Sequence, residues 1–143
     1  MSTPGRPDSD DRKTKPEGES PVRRQRIILE MGTGNDLHGE SYTKAALRAV
    51  QDALHHSSLS LFKSLDMPAS NMQIEVTIGV QQPGQVDTDA VAASLPYGQV
   101  SATAVIGGAD LPAEGPHGRI VVASAAIAVW LDIDQARYRP GQP

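Results

Sequence analysis

The stretch Gly32-Thr-Gly-Asn-Asp-Leu-His-Gly39 limits what this chain can fold into more than any other. Before it lies the apolar run Arg26-Ile-Ile-Leu-Glu-Met31, which reads as a strand. After it, Tyr42, Ala45, Ala46, Ala49, Val50, Ala53 and Leu54 recur at the three-and-four spacing of an amphipathic helix. Ser41 is placed to cap that helix, although Lys44 stands where a reciprocal capping box needs Glu or Gln. Residues 32–39 are therefore expected to form a loop between a strand and a helix N-terminus, where backbone N–H groups converge and anions commonly bind. Neither phosphate motif fits. The dinucleotide fingerprint needs a third glycine where Leu37 stands, and the P-loop needs a lysine where Glu40 stands.

The helix is expected to fray into residues 57–62 and to stop by Pro68. Met72, Ile74, Val76, Ile78 and Val80 alternate with Gln73, Glu75 and Thr77, the period of a half-buried strand. Pro83-Gly84 turns the chain, and Asp87 or Thr88 can cap a short second helix that Pro96 closes. Residues 100–106 alternate again as a third strand ending at Gly107-Gly108, and residues 111–118 read as a loop. Residues 119–133 are apolar and β-branched enough to favour a fourth strand over a helix. The expected fold is α+β, with a mixed sheet in the order β-α-β-α-β-β and one long helix packed on one face. The other face, with Gln73, Glu75 and Thr77, needs water or another subunit, and a homotrimer or larger assembly is expected because small domains gain most from shared burial.

Residues 1–24 carry eleven charges, four prolines and only two apolar residues. They cannot bury enough surface to offset chain entropy, so a disordered tail is expected, followed by a single domain over 25–134 and a second tail over 135–143. The first tail lacks the apolar core of a secretory signal and is too acidic for a transit peptide, which points to a cytoplasmic protein. A net charge of −4 offers no footprint for nucleic acid, and no apolar run reaches the length of a membrane span. The absence of cysteine removes disulfides, thiolate metal sites and thiol nucleophiles, so any metal must rest on Asp, Glu and four histidines.

Asp36 and His38 are the candidate chemical groups. Alternate residues of an extended segment point the same way, so both side chains can reach one point. A carboxylate and an imidazole suit a divalent metal such as Zn²⁺, Mn²⁺, Fe²⁺ or Mg²⁺, or they can act as an acid–base pair. His56 is the expected third ligand, reached from a neighbouring subunit, with His55 and His117 as the other candidates. Gly32, Gly34 and Gly39 would let backbone approach a ligand, and Arg119 could clamp its carboxylate. A bland alternative has Asp36 capping a turn and bonding to the loop amides, with His38 donating to it and the glycines only permitting positive φ. Ser124 has no adjacent activator and reads as a packed small residue.

The string Gly32-x-Gly34-x-Asp36-x-His38-Gly39 resembles the signature of the Lin-type family of conserved hypothetical proteins, short single-domain proteins with a GxGxDxHG motif. The resemblance runs through residues 45–60, 80–98 and 121–132 and implies no assigned activity. Gly34-x-Asp36-x-His38 is also similar to the metal motif of methylerythritol cyclodiphosphate synthases, trimeric enzymes whose further His-Ser-Asp stretch is absent here. The element order resembles the trimeric Bacillus-type chorismate mutase fold. The repeats of ring-opening amidohydrolases are comparable, but Gln81 and Gln82 stand nearest to where their lysine belongs.

Together these readings predict an oligomeric enzyme, trimer or hexamer, acting on a small polar molecule at the Asp36/His38 loop, with or without a divalent metal. The alternative is a non-catalytic small-molecule-binding or regulatory oligomer.

Overall fold

The computed structural model describes residues 22–55, 71–95, 98–115 and 118–134. Five strands, β1 (Val22–Asp36), β2 (Met72–Val80), β3 (Gln99–Ile106), β4 (Ala109–Pro112) and β5 (Arg119–Asp134), form one sheet with two helices, α1 (Tyr42–His55) and α2 (Thr88–Ala93). The long strands lie in the order β1-β5-β2-β3. β5 runs antiparallel to β1 and β2, while β2 and β3 are parallel, so β5 alone is reversed among the long strands.

Alternation decides which side of each strand is buried. Met72, Ile74, Val76, Ile78 and Val80 of β2 face Val121, Ala123, Ala125, Ile127 and Val129 of β5 along the same side, and all are almost fully buried beneath α1. That helix contributes Tyr42, Ala45, Ala46, Ala49, Val50 and Ala53. Ser41 caps it as expected, its Oγ accepting from Lys44 N at 3.1 Å. Asp87 caps α2 by accepting from Ala90 N at 3.0 Å. The opposite face, with Glu75, Thr77, Ser101 and Thr103, is open to solvent.

The structure corrects several expectations. β1 begins at Val22, inside the segment read as tail, and ends at Asp36, inside the stretch read as loop. Gly32 and Gly34 are therefore strand residues, and the loop shrinks to residues 37–41. The reason is packing. A Cβ on Gly34 would stand 2.5 Å from the Ala45 carbonyl oxygen, and one on Gly32 would stand 2.5 Å from the Ala49 carbonyl oxygen. Helix and strand backbones thus touch along a seam of two glycines and three alanines, and the faces expected to admit a ligand are covered by α1.

A short strand, β4, also lies where only loop was expected, pairing Ala109–Pro112 with residues 122–119 of β5. It takes the place beside β5 that β2 leaves at Gly79. To reach it the chain crosses the end of β2 at Gly107-Gly108. A Cβ on Gly107 would lie 3.0 Å from Gly79 Cα, and Gly108 adopts φ +59° against the Gly79 and Val122 carbonyls. The readings placed on residues 57–62, Pro68, Pro96, His56, His117, the tail up to residue 21 and the tail over 135–143 lie outside the described residues.

Candidate functional site

The C-terminal ends of β1, β2 and β3, the N-terminus of α1 and the start of β5 share one end of the molecule, because β5 is reversed and α1 runs back along β1. Open sheets commonly place ligand sites at this end. Two polar groups are built there.

The first is Asp36, the last residue of β1. Alternation turns it inward with Gly32 and Gly34, and it is 5% exposed. Its Oδ2 accepts from Ser41 N at 2.8 Å, the Gly39 N–H also donates to the carboxylate, and Arg48 of α1 stands 3.3 Å from Oδ1. The Ser41 amide is the main cause holding this carboxyl below the usual Asp range, with Gly39 and Arg48 adding to it against the opposing cost of burial. The carboxylate thus latches the turn that starts α1. It also holds Glu40 at φ +52°, a left-handed conformation unusual for a non-glycine residue. A Cβ on Gly39 would lie 2.8 Å from Asp36 Oδ2, so the glycine at this position leaves room for the carboxylate.

His38 sits on the exposed side of the turn. The alternation that was expected to bring it beside Asp36 ends with β1, and no hydrogen bond or ion pair joins the two among the described residues. Nor do three His, Asp or Glu side chains converge as a metal site among the described residues. With two amides and a guanidinium on Asp36, the arrangement anchors a turn and orients His38 and Glu40 outward.

The second group was not anticipated. Tyr42, read as part of the apolar helix stripe, is 2% exposed, yet its hydroxyl donates to Asp110 Oδ2 of β4 at 2.5 Å. Arg119, at the start of β5, donates to the Tyr42 hydroxyl at 3.3 Å and stands 3.7 Å from Asp110 Oδ2. Burial, and then the hydrogen bond to Asp110, push the Tyr42 hydroxyl above its ordinary pKa, so it remains a donor. Asp110 Oδ1 is buried with no partner among the described residues. Arg119 lies at the end of the sheet that carries the Asp36 turn, and 42% of its side chain remains accessible. Tyr42 and Asp110 are 68 positions apart, and only the Gly107-Gly108 crossing brings them together. A glycine pair ahead of an isolated acid was the available signal.

Two polar residues of α1 bond to the backbone of β1. Asp52 accepts from Thr33 N at 2.9 Å, and Arg48 donates to the Asn35 carbonyl at 2.6 Å, so α1 closes part of the outer edge of β1. On the open face, Arg24 stacks over Trp130 at 5.2 Å and pairs with Glu75 at 3.2 Å. Ser124, beside Gly79, lines a shallow depression of about 500 Å³ flanked by Met31 and Ile106. Among the described residues no helix is long and apolar enough to cross a membrane.

The family described as conserved hypothetical protein, Lin0512, matches residues 26–129. No curated protein matches. A crystal structure from Nostoc punctiforme PCC 73102, described as an FtsZ-like protein of unknown function, is similar at TM-score 0.67 and 33% identity, over 78% of this chain and 99% of that one.

Proposed function

Because this chain belongs to the Lin0512 family of conserved hypothetical proteins, a family that carries no assigned activity, we propose its function from the site alone: it binds a small polar molecule at the carboxyl end of the sheet. The observation that carries this reading is the Asp110 carboxylate. One oxygen is committed to Tyr42 and Arg119, and the other is buried with its hydrogen-bonding capacity unspent among the described residues. Such an oxygen costs stability unless a donor reaches it. The accessible guanidinium of Arg119 beside it suits an acidic group. A hydroxy- or amino-carboxylate presents both a donor and an acid, and is the ligand class that fits. Asp36 is a positioning residue that holds the turn, and His38 is the group on that turn free to meet the ligand.

The reading is of a binding protein. A carboxylate held ionised by two amides and an arginine is a poor proton acceptor, which favours a positioning role for Asp36 over that of a general base. An oligomer, trimer or hexamer, belongs to the same proposal: Met31 is 69% exposed and Val105 47% exposed beside the depression on the open face.

Backbone amide spectra of the full chain, titrated with lactate, glycerate and serine, test the ligand part. Shifts confined to residues 38–42, 110 and 119 are expected, with affinity at least about tenfold weaker in Arg119→Ala. Unmoved amides at these positions for all three compounds would sink the ligand class. Conversion of a compound, lost in His38→Ala, would turn the reading to an enzyme.

A further inference from the structure

The sheet ends in two edge strands that are finished in opposite ways. β1 carries Arg23, Arg24, Arg26 and Glu30, has a bulge between Arg26 and Ile28, and has part of its outer backbone taken by Arg48 and Asp52. These are the devices by which natural sheets refuse another strand. β3 has none of them. Its eight residues, Gln-Val-Ser-Ala-Thr-Ala-Val-Ile, contain no charge and no proline, and they pair with β2 without a register shift. Among the described residues nothing hydrogen-bonds to its outer side.

We propose that β3 joins two copies of this chain, antiparallel, about a two-fold axis through Thr103. A two-fold perpendicular to the sheet keeps each face on its own side, so residues of like parity oppose each other. Centred on Thr103, it sets Thr103 against the partner's Thr103, Val100 against the partner's Ile106, and Ser101 against the partner's Val105. Ile106 and Val105, 77% and 47% exposed in the single chain, thereby gain cross-strand neighbours. Centring on Ala102 would set Ile106 against Gly98, which has no side chain to cover it. The uncharged strand brings no like charges together, which favours a second copy over a charged peptide as occupant. The contact rests on the oligomer part of the reading above and sharpens it: a two-fold edge requires an even number of chains, hence a dimer or hexamer and not a trimer. It is independent of the ligand.

Sedimentation of the full-length chain and of Thr103→Lys and Thr103→Glu tests it. Thr103 is exposed, so both variants are expected to keep the wild-type circular dichroism. Each alone is expected to dissociate about tenfold more readily, because like charges then oppose at the axis. An equimolar mixture of the two is expected to regain the wild-type mass. In parallel, β3 amides of the wild type should exchange hydrogen more slowly in concentrated than in dilute protein. A wild type that stays monomeric overturns both the edge contact and the oligomer. An even- or odd-numbered assembly unmoved by either variant overturns the edge contact alone, and so does a mixture that fails to reassociate.

Discussion

The two halves of the glycine-containing stretch behave as different materials. Gly32 and Gly34 lie in β1 against the backbone of α1, where there is no room for a single carbon atom. Residues 37–41 form a turn that projects outward and is held by one buried carboxylate. The strand half obeys close packing, in which a methyl group is enough to force backbone apart. The turn half obeys hydrogen bonding and charge. A run of glycines between a strand and a helix therefore does not by itself indicate a cradle for a ligand; here half of it is a contact surface between two elements.

Substitutions separate the halves, and the largest effect is expected in the first. Gly34→Ala should cost about 3 kcal/mol or more in denaturant unfolding, because the colliding atoms belong to the Ala45 and Ala49 backbones and cannot swing aside. A loss below about 1 kcal/mol would show that α1 lifts from β1 easily, and the comparison would collapse.

The second effect belongs to the latch. Asp36→Ala leaves the Ser41 and Gly39 amides and the Arg48 guanidinium without their acceptor, and a loss of about 2–3 kcal/mol is expected. The same carboxylate gives stability a pH dependence. Its folded pKa lies below the ordinary Asp value, so its contribution is complete above that ordinary value and is lost as pH falls through the lower folded pKa. Acid unfolding curves should thus diverge between wild type and Asp36→Asn above this range and approach one another below it.

A smaller effect is expected from Arg48→Ala, about 1 kcal/mol. The guanidinium is half exposed, 55% against 7% for Asp36, and its contribution is screened by solvent. Raising salt should shrink the difference between Arg48→Ala and wild type while leaving that of Gly34→Ala unchanged.

What could be read in the sequence follows the same division. The alternation of β2, the helix stripe of α1 and the Asp87 cap are local patterns with one physical solution, and each is present in the fold. Gly32 and Gly34 were read by residue type, whereas their role is set by Ala45, Ala49 and Ala53, which share the contact only once α1 has turned back along β1. The bland reading of Asp36 matches in its amides, but His38, expected to donate to the carboxylate, makes no such bond among the described residues, and Gly32, Gly34 and Gly39 do not take positive φ. Tyr42 looked like one more apolar helix position, since its ring is in the core and only its hydroxyl reaches Asp110. No periodicity reports a partner that a distant strand supplies.

The position of β5 sets when this protein can fold at all. β1 has β5 as its only strand neighbour among the described residues, and β5 also separates it from β2. Of the described strands, the first to leave the ribosome must therefore wait for the last. Until residues 119–134 have emerged, β1 has no ladder to join and α1 has half a floor. Contacts that span most of the chain form late and leave apolar strands unpaired meanwhile. Chains released before β5 should accumulate as protease-sensitive species, while those that include it close the sheet in one step.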